Sequence, residues 1–286
     1  MRKLALLVSL IALLPVSVSA SGLLWRVDGG RAPLYLVGSV HVLPPTAHPL
    51  DKKFDIAYAE SQVLLFETDI DAISAPEMQR KLVSAGVYPT GQTIQNRWPG
   101  WLLQEFTEAA EEMKLPVEMF YSSKPWLAAL SLEMNAYVRQ GYDPRYGVDQ
   151  YYWKRAKGDK KKLITLETAK TQLSIFTDMP DATSENFLAA TLENLNELDY
   201  DPAELLEIWT DGDSGELVDV LDELGDVHPD VYRRLISSRN NFWMPTVVDQ
   251  LEQGRAAMVI VGALHIPGPD GLIAQLRKKG YKIKKL

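Results

Sequence analysis

An apolar run of strand length ends in Gly-x-x-His twice in this chain, as LYLVGSVH at residues 34–41 and as MVIVGALH at residues 258–265. Apolar runs this short, bounded by turn residues, suit strands buried on both faces of a sheet. Two such strands near opposite ends of a chain can share a sheet in parallel only if the segments between them cross over its faces. That demand limits the fold more than any bulk property does.

The intervening sequence meets the demand. VLLFE (63–67) follows DKKFDIAYAES, where Phe54, Ile56, Ala57 and Ala59 fall at helical spacing. KKLITLE (161–167) follows DQYYWKRAKG, a second helical stretch with Asp149 placed to cap it. AAMVIVG (256–262) follows FWMPTVVDQLEQG, a helix expected to end at Gly254. YKIKKL (281–286) is reached through the helix GLIAQLRKKG, and LLWRVDGGRAP ahead of the first phrase reads as a strand and Gly-Gly turn of a small antiparallel hairpin. Strands alternating with helices predict an α/β fold with a mainly parallel central sheet covered by helices. Two long helical insertions are expected, at about 75–140 and about 182–238, with WLLQEFTEAAEEMKL, NFLAATLENLNEL and PAELLEIW as their clearest helices. Their Leu, Met and Trp residues at helical spacing read as core. No low-complexity linker divides residues 21–286, so a single domain is expected.

The first twenty residues stand apart. MRKLALLVSLIALLPVSVSA has a basic start, an apolar middle and a small-residue ending, the pattern of a secretory signal peptide cleaved after Ala20. No later segment offers 18 or so unbroken apolar residues, so no stable membrane anchor is expected after cleavage. Losing Arg2 and Lys3 takes the formal charge from −8 to about −10. An acidic chain of this kind argues against nucleic acid as a partner. The sequence contains no cysteine, which excludes thiolate zinc sites and cysteine nucleophiles and fits a periplasmic destination better than a disulfide-rich extracellular one.

In open α/β sheets, ligands bind beyond the carboxyl ends of the strands. There LYLVG leads to Ser39 and His41, VLLFE ends in Glu67 with Asp69 close behind, LITLE ends in Glu167, and MVIVG leads to His265. If these strands run parallel, two of the chain's four histidines meet two or three carboxylates on one edge. Gly38 and Gly262 fall where the chain leaves the sheet, and glycine permits a tight turn or close backbone approach there. Two imidazoles and one carboxylate with open positions suit a divalent metal ion (Mn, Co, Zn or Fe). A bound metal activates water and polarises a carbonyl, while a second carboxylate such as Glu167 can orient a ligand or move protons. Arg239 and Asn240 open the helix before the last core strand, where Asn reads as a cap and both side chains can also orient a substrate. His48 and His228, beside prolines, carry no such pattern. Ser39 lacks a G-x-S-x-G elbow.

Taken in order, GSVH, FETD, GVD ahead of a helix, LETAKTQL, SRNNFW and VGALHIPGPDGLIAQLRKKGY resemble the TraB/PrgY/GumN family, from about Leu24 to Leu286. That family includes the Tiki proteases and has an erythromycin-esterase/ChaN-like α/β fold. The resemblance implies a metal-dependent protease whose metal is held by His41, His265 and Glu67, with Arg239 and Asn240 as family-typical neighbours. The leading expectation is an exported metal-dependent hydrolase acting on a peptide or small-molecule substrate, with Glu67 or Glu167 handling protons. An ester-type hydrolase, and a non-catalytic protein capturing haem or a polysaccharide in the same pocket, are the rival expectations.

Overall fold

The computed structural model describes residues 22–196, 202–212 and 214–286; the expected signal peptide, residues 1–20, lies outside the described residues. Among the described residues six strands form one sheet: β1 (Leu24–Asp28), β2 (Leu34–Ser39), β3 (Val63–Phe66), β4 (Lys162–Thr165), β5 (Ala257–Gly262) and β6 (Lys282–Lys285), in the order β4-β3-β5-β2-β1-β6. The pairs β2–β5, β3–β5 and β3–β4 are parallel, while β1 runs antiparallel to both β2 and β6. The architecture is thus α/β with a mainly parallel sheet, and the hairpin joins β1 to β2 through Gly29, whose positive φ suits a tight turn.

Composition decides each strand's place. VLLF and AMVIVG are buried almost throughout because helices cover both faces of a parallel sheet. The edge strands KLIT and KIKK are largely exposed, and their lysines guard the unpaired edges against further strand addition.

The chain crosses between strands through helices. α1 (Lys52–Glu60), capped by the Asp51 side chain, precedes β3. Between β3 and β4 come α2 (Ile70–Ile73), α3 (Pro76–Ala85), α4 (Ile94–Arg97), α5 (Gly100–Glu112), α6 (Pro125–Arg139) and α7 (Val148–Gly158). Between β4 and β5 lie α8 (Ala169–Thr177), α9 (Asp181–Asn196), α10 (Pro202–Asp211), α11 (Ser214–Val227), α12 (Pro229–Tyr232) and α13 (Ser238–Glu252). α14 (Leu272–Lys278) then leads to β6. A π-helical turn, Arg233–Ser237, runs directly into α13. Among the described residues no helix is long and apolar enough to cross a membrane.

Two cores result. The sheet packs against Phe54 and Tyr58 of α1, Tyr152 and Trp153 of α7, and Trp243 and Val247 of α13. A second core joins the two helical insertions, with Trp98, Phe106, Trp126 and Leu132 meeting Leu188 and Leu192 of α9. The Ser184 hydroxyl of α9 accepts from the Trp126 backbone N–H at the start of α6 and pins the two insertions together. Both insertions leave the sheet at the carboxyl ends of β3 and β4, so they gather on the edge where Glu67 and Glu167 emerge.

Candidate functional site

Strand register brings the four strand-end groups together. Ser39 pairs with Gly262, Phe66 with Ile260 and Phe66 with Thr165, and the ladder continues as Glu167 N–H donates to the Glu67 carbonyl at 2.8 Å. Because β4, β3, β5 and β2 are consecutive and parallel, Glu167, Glu67, His265 and His41 project in that order from one edge. Asp69 does not join them, since its side chain caps α2 by accepting from Ala72 N–H.

Glu67 is the hub. Its Oε1 accepts from Gly262 N–H at 2.6 Å; its Oε2 accepts from Arg239 Nη2 at 2.6 Å and from Gln172 Nε2 at 3.1 Å. Burial pushes the Glu67 carboxyl up, but Arg239, His265, His41 and the Gly262 N–H more than offset it and hold the group well below the usual carboxylate range. Gly262 is glycine for a spatial reason. A Cβ there would stand 3.3 Å from Glu67 Oε1, 3.4 Å from His265 Cδ2 and 3.7 Å from His41 Nε2, filling the space the three groups share. Gly38, inside β2, answers a different need: a Cβ would come within 2.9 Å of the Leu23 side chain.

Each histidine is oriented through Nδ1. The Asn240 amide nitrogen donates to the carbonyls of His265 and Asp270 at 3.1 and 3.0 Å, so Asn240 Oδ1 must accept from His265 Nδ1–H at 2.8 Å. The proton is therefore on Nδ1, and the Nε2 lone pair faces Arg239 Nη1 at 3.0 Å. Burial, with Arg239 and His41 adding to it against the pull of Glu67, lowers the His265 pKa to about 3, so the ring is neutral. His41 Nδ1 bonds Asp149 Oδ2 at 2.9 Å, and the charge of Asp149 raises the His41 pKa to about 9. The His41 side chain is 59% exposed, against 5% for His265, so His41 is the imidazole open to a ligand.

Arg239 and Asn240 thus both reach the strand ends, and Asn240 is not the cap of its helix, whose N-cap is Ser237. Arg239 spans Glu67 and Glu167, with Nη2 2.6 Å from Glu167 Oε1, and stacks on Trp243 with the guanidinium carbon 4.5 Å from the ring centre. Trp243 also donates to Glu167 Oε2 at 3.2 Å and packs against His265 with ring centres 4.5 Å apart. Burial pushes the Glu167 carboxyl up against the opposing pull of Arg239. Asp149 corrects a second expectation. Gly147 is the N-cap of α7, and Asp149 sits in the first turn with its carboxylate on His41. A Cβ at Gly147 would fall on the His41 carbonyl oxygen. The Asp149 N–H donates to Ser39 Oγ and the Val148 N–H to the Val40 carbonyl, so Gly147–Asp149 clasps the whole His41 loop. Sequence reasoning passed over Gln172 and Trp243, although both lie in the motifs that carry Glu167 and Arg239. His48 bonds the Tyr146 carbonyl and His228 bonds Glu193, both away from this cluster.

The donor set fits a divalent cation in kind. Two imidazoles with Nδ1 fixed by an oxygen and Nε2 turned inward flank a carboxylate, the arrangement in which outer partners orient metal ligands. His265 Nε2 lies 4.0 Å from Glu67 Oε1. Among the described residues no three His, Asp or Glu side chains are drawn close enough together to hold a metal as they stand, and the Arg239 guanidinium supplies the positive charge between His265 and Glu67. A metal on His265 would take the lone pair that Arg239 Nη1 now engages.

The model of the TraB/PrgY/gumN family matches residues 23–285. The chain is 23% identical over 251 residues to the uncharacterized protein YbaP of Escherichia coli K12, covering 87% of this chain and 89% of that protein, and equally similar to YbaP of Shigella flexneri. No solved structure matches.

Proposed function

This chain belongs to the TraB/PrgY/gumN family, and we propose that it is an exported metal-dependent hydrolase, a Tiki-like peptidase, with its site at the carboxyl ends of β2, β3 and β5. One observation carries the reading: two imidazoles with Nδ1 fixed by Asp149 and Asn240 flank the Glu67 carboxylate at the shared space beside Gly262. His41, His265 and Glu67 would hold the cation, which when bound supplies an activated water and polarises a carbonyl. The protein's own groups do the rest. Asn240 fixes the His265 tautomer, Asp149 orients His41, Arg239 with the Gly262 N–H holds Glu67 ionised, and Gln172 helps to position it. Arg239 stands where negative charge develops on a substrate carbonyl oxygen, and Trp243 and Glu167 keep it there.

The test is metal analysis of protein purified without chelator, followed by hydrolysis of a peptide panel and an ester panel with Mn²⁺, Co²⁺ or Zn²⁺. Peptide turnover that needs His41 and His265 supports the proposal. Turnover confined to esters makes the protein an ester-type hydrolase, and stoichiometric capture of haem or a polysaccharide without product makes it a binding protein. Unchanged metal content and activity in His41→Ala and His265→Ala proteins sinks the site assignment.

A further inference from the structure

We propose that Arg234, in the π-helical turn before α13, is a positioning residue: it clamps that turn to the end of α8 and so keeps Arg239 and Gln172 on the same carboxylate oxygen. The proposal rests on the hydrolase reading above. Glu67 Oε2 accepts from Arg239 Nη2 at 2.6 Å and from Gln172 Nε2 at 3.1 Å. Those donors belong to different helices, Gln172 to α8 and Arg239 to α13. They converge on one oxygen only while the two helices keep a fixed separation, since such bonds hold over a range of about half an ångström.

Arg234 supplies the fastening. Its Nη2 donates to the Ser174 carbonyl at 2.8 Å, and its Nε donates to the Ile175 carbonyl. Both carbonyls lie in the last turn of α8, where C=O groups run out of intrahelical N–H partners. A guanidinium there answers them and complements the negative end of the helix. Gln172 stands just before these two residues in the chain, so the clamp grips the part of α8 that reaches Glu67.

The winding of the turn lets one helix do both tasks. Ser238 N–H donates to the Arg233 carbonyl five residues back, in place of the four-residue spacing of an α-helix. Residues five apart stand about 140° from each other around an α-helix. The wider turn brings them nearly into line. Arg234 and Arg239 are five apart, so Arg234 meets α8 on the side from which Arg239 reaches the strand ends. The same turn packs against Ala263–His265, and its seat therefore also bears on the histidine whose Nε2 faces Arg239 Nη1.

The experiment uses protein spanning residues 21–286 as wild type, Arg234→Ala, Arg234→Lys and Ser184→Ala. Ser184→Ala releases the Trp126 N–H between the two insertions and so lowers stability away from the strand ends. Hydrolysis of fluorescein-labelled casein and p-nitrophenyl acetate is measured with Mn²⁺, and the His265 imidazole nitrogens are followed by NMR in metal-free protein. The proposal predicts that Arg234→Ala lowers kcat about tenfold or more, with KM within about threefold of wild type. Its His265 Nε2 signal moves toward that of a ring nitrogen without a hydrogen bond. Arg234→Lys keeps the charge but not the rigid fork, and recovers part of both effects. Ser184→Ala loses Tm and changes neither. If Arg234→Ala does not fold, Arg234→Lys must still show a displaced His265 signal, and a wild-type signal there overturns the proposal. So does an unchanged signal in Arg234→Ala, or a kcat loss that Ser184→Ala matches at equal Tm. A wild type that turns over neither probe sinks the hydrolase reading, and the His265 signal then decides the clamp by itself. An active wild type whose Arg234→Ala protein keeps both kcat and that signal sinks the proposal alone.

Discussion

Asn240 shows how one side chain decides the chemistry of another. Its amide nitrogen is spent on two carbonyls, which leaves its oxygen to fix the His265 tautomer. Asn240→Ala is expected to cost about 1–3 kcal/mol in urea unfolding, because His265 Nδ1 and two carbonyls lose their buried partner. Arg239→Leu removes the cation between two buried carboxylates and should cost about 3–5 kcal/mol at pH 8. The deficit should shrink on acidification, since burial already favours a proton on Glu167. His41, His265, Glu67 and Glu167 were legible in the sequence because each follows an apolar strand within a few residues. Arg239, Asn240 and Asp149 were legible only as helix-start residues, since a helix start looks the same whether its side chains cap the helix or reach another strand's end.

At the scale of elements, the apolar runs and helical spacings placed the four parallel strands and their crossovers, because a fully buried strand admits little but β-branched and aliphatic residues. The parallel order β4-β3-β5-β2 could not be read, since apolar strands carry no mark of their neighbours. Asp149 was misplaced by a matter of two residues, as Gly147 and not Asp149 is the N-cap of α7. Gly147 is also where the element-scale account is most exposed. Gly147→Ala sets a methyl group on the His41 carbonyl and must push α7 off the His41 loop. A loss of about 1–3 kcal/mol in the urea midpoint is expected, together with a changed His41 NMR titration. An unchanged titration would show that the clasp does not hold the histidine.

For the whole molecule, the two site histidines shape stability against pH from opposite sides. His265 titrates near 3 when folded and ordinarily at 6.5, so the unfolded chain binds more protons between those values and stability falls as pH drops through them. Glu67, held below its ordinary 4.5, deepens that acid loss. His41 is raised from 6.5 to about 9, so its contribution is full below 6.5 and is lost as pH climbs toward 9. Urea unfolding across pH should show an alkaline arm that His41→Asn removes and an acid arm that it leaves in place. The shape that makes this possible was only half legible. The sequence marks two helical insertions, but their shared core of Trp126, Leu132, Leu188 and Leu192 is a contact between distant segments, and so is the return of the chain after α6 to the His41 loop.

The central claim is that His41, His265 and Glu67 form a cation site between three strands. Calorimetric titration of chelator-treated protein spanning residues 21–286 with Mn²⁺ tests it most directly, set beside the His41→Ala/His265→Ala protein at the same pH. The account predicts binding of about one ion per chain in the wild type and none in the double variant, with both proteins folded by circular dichroism. Equal binding in the two, or no binding of Mn²⁺, Co²⁺ or Zn²⁺ to the wild type, would contradict it.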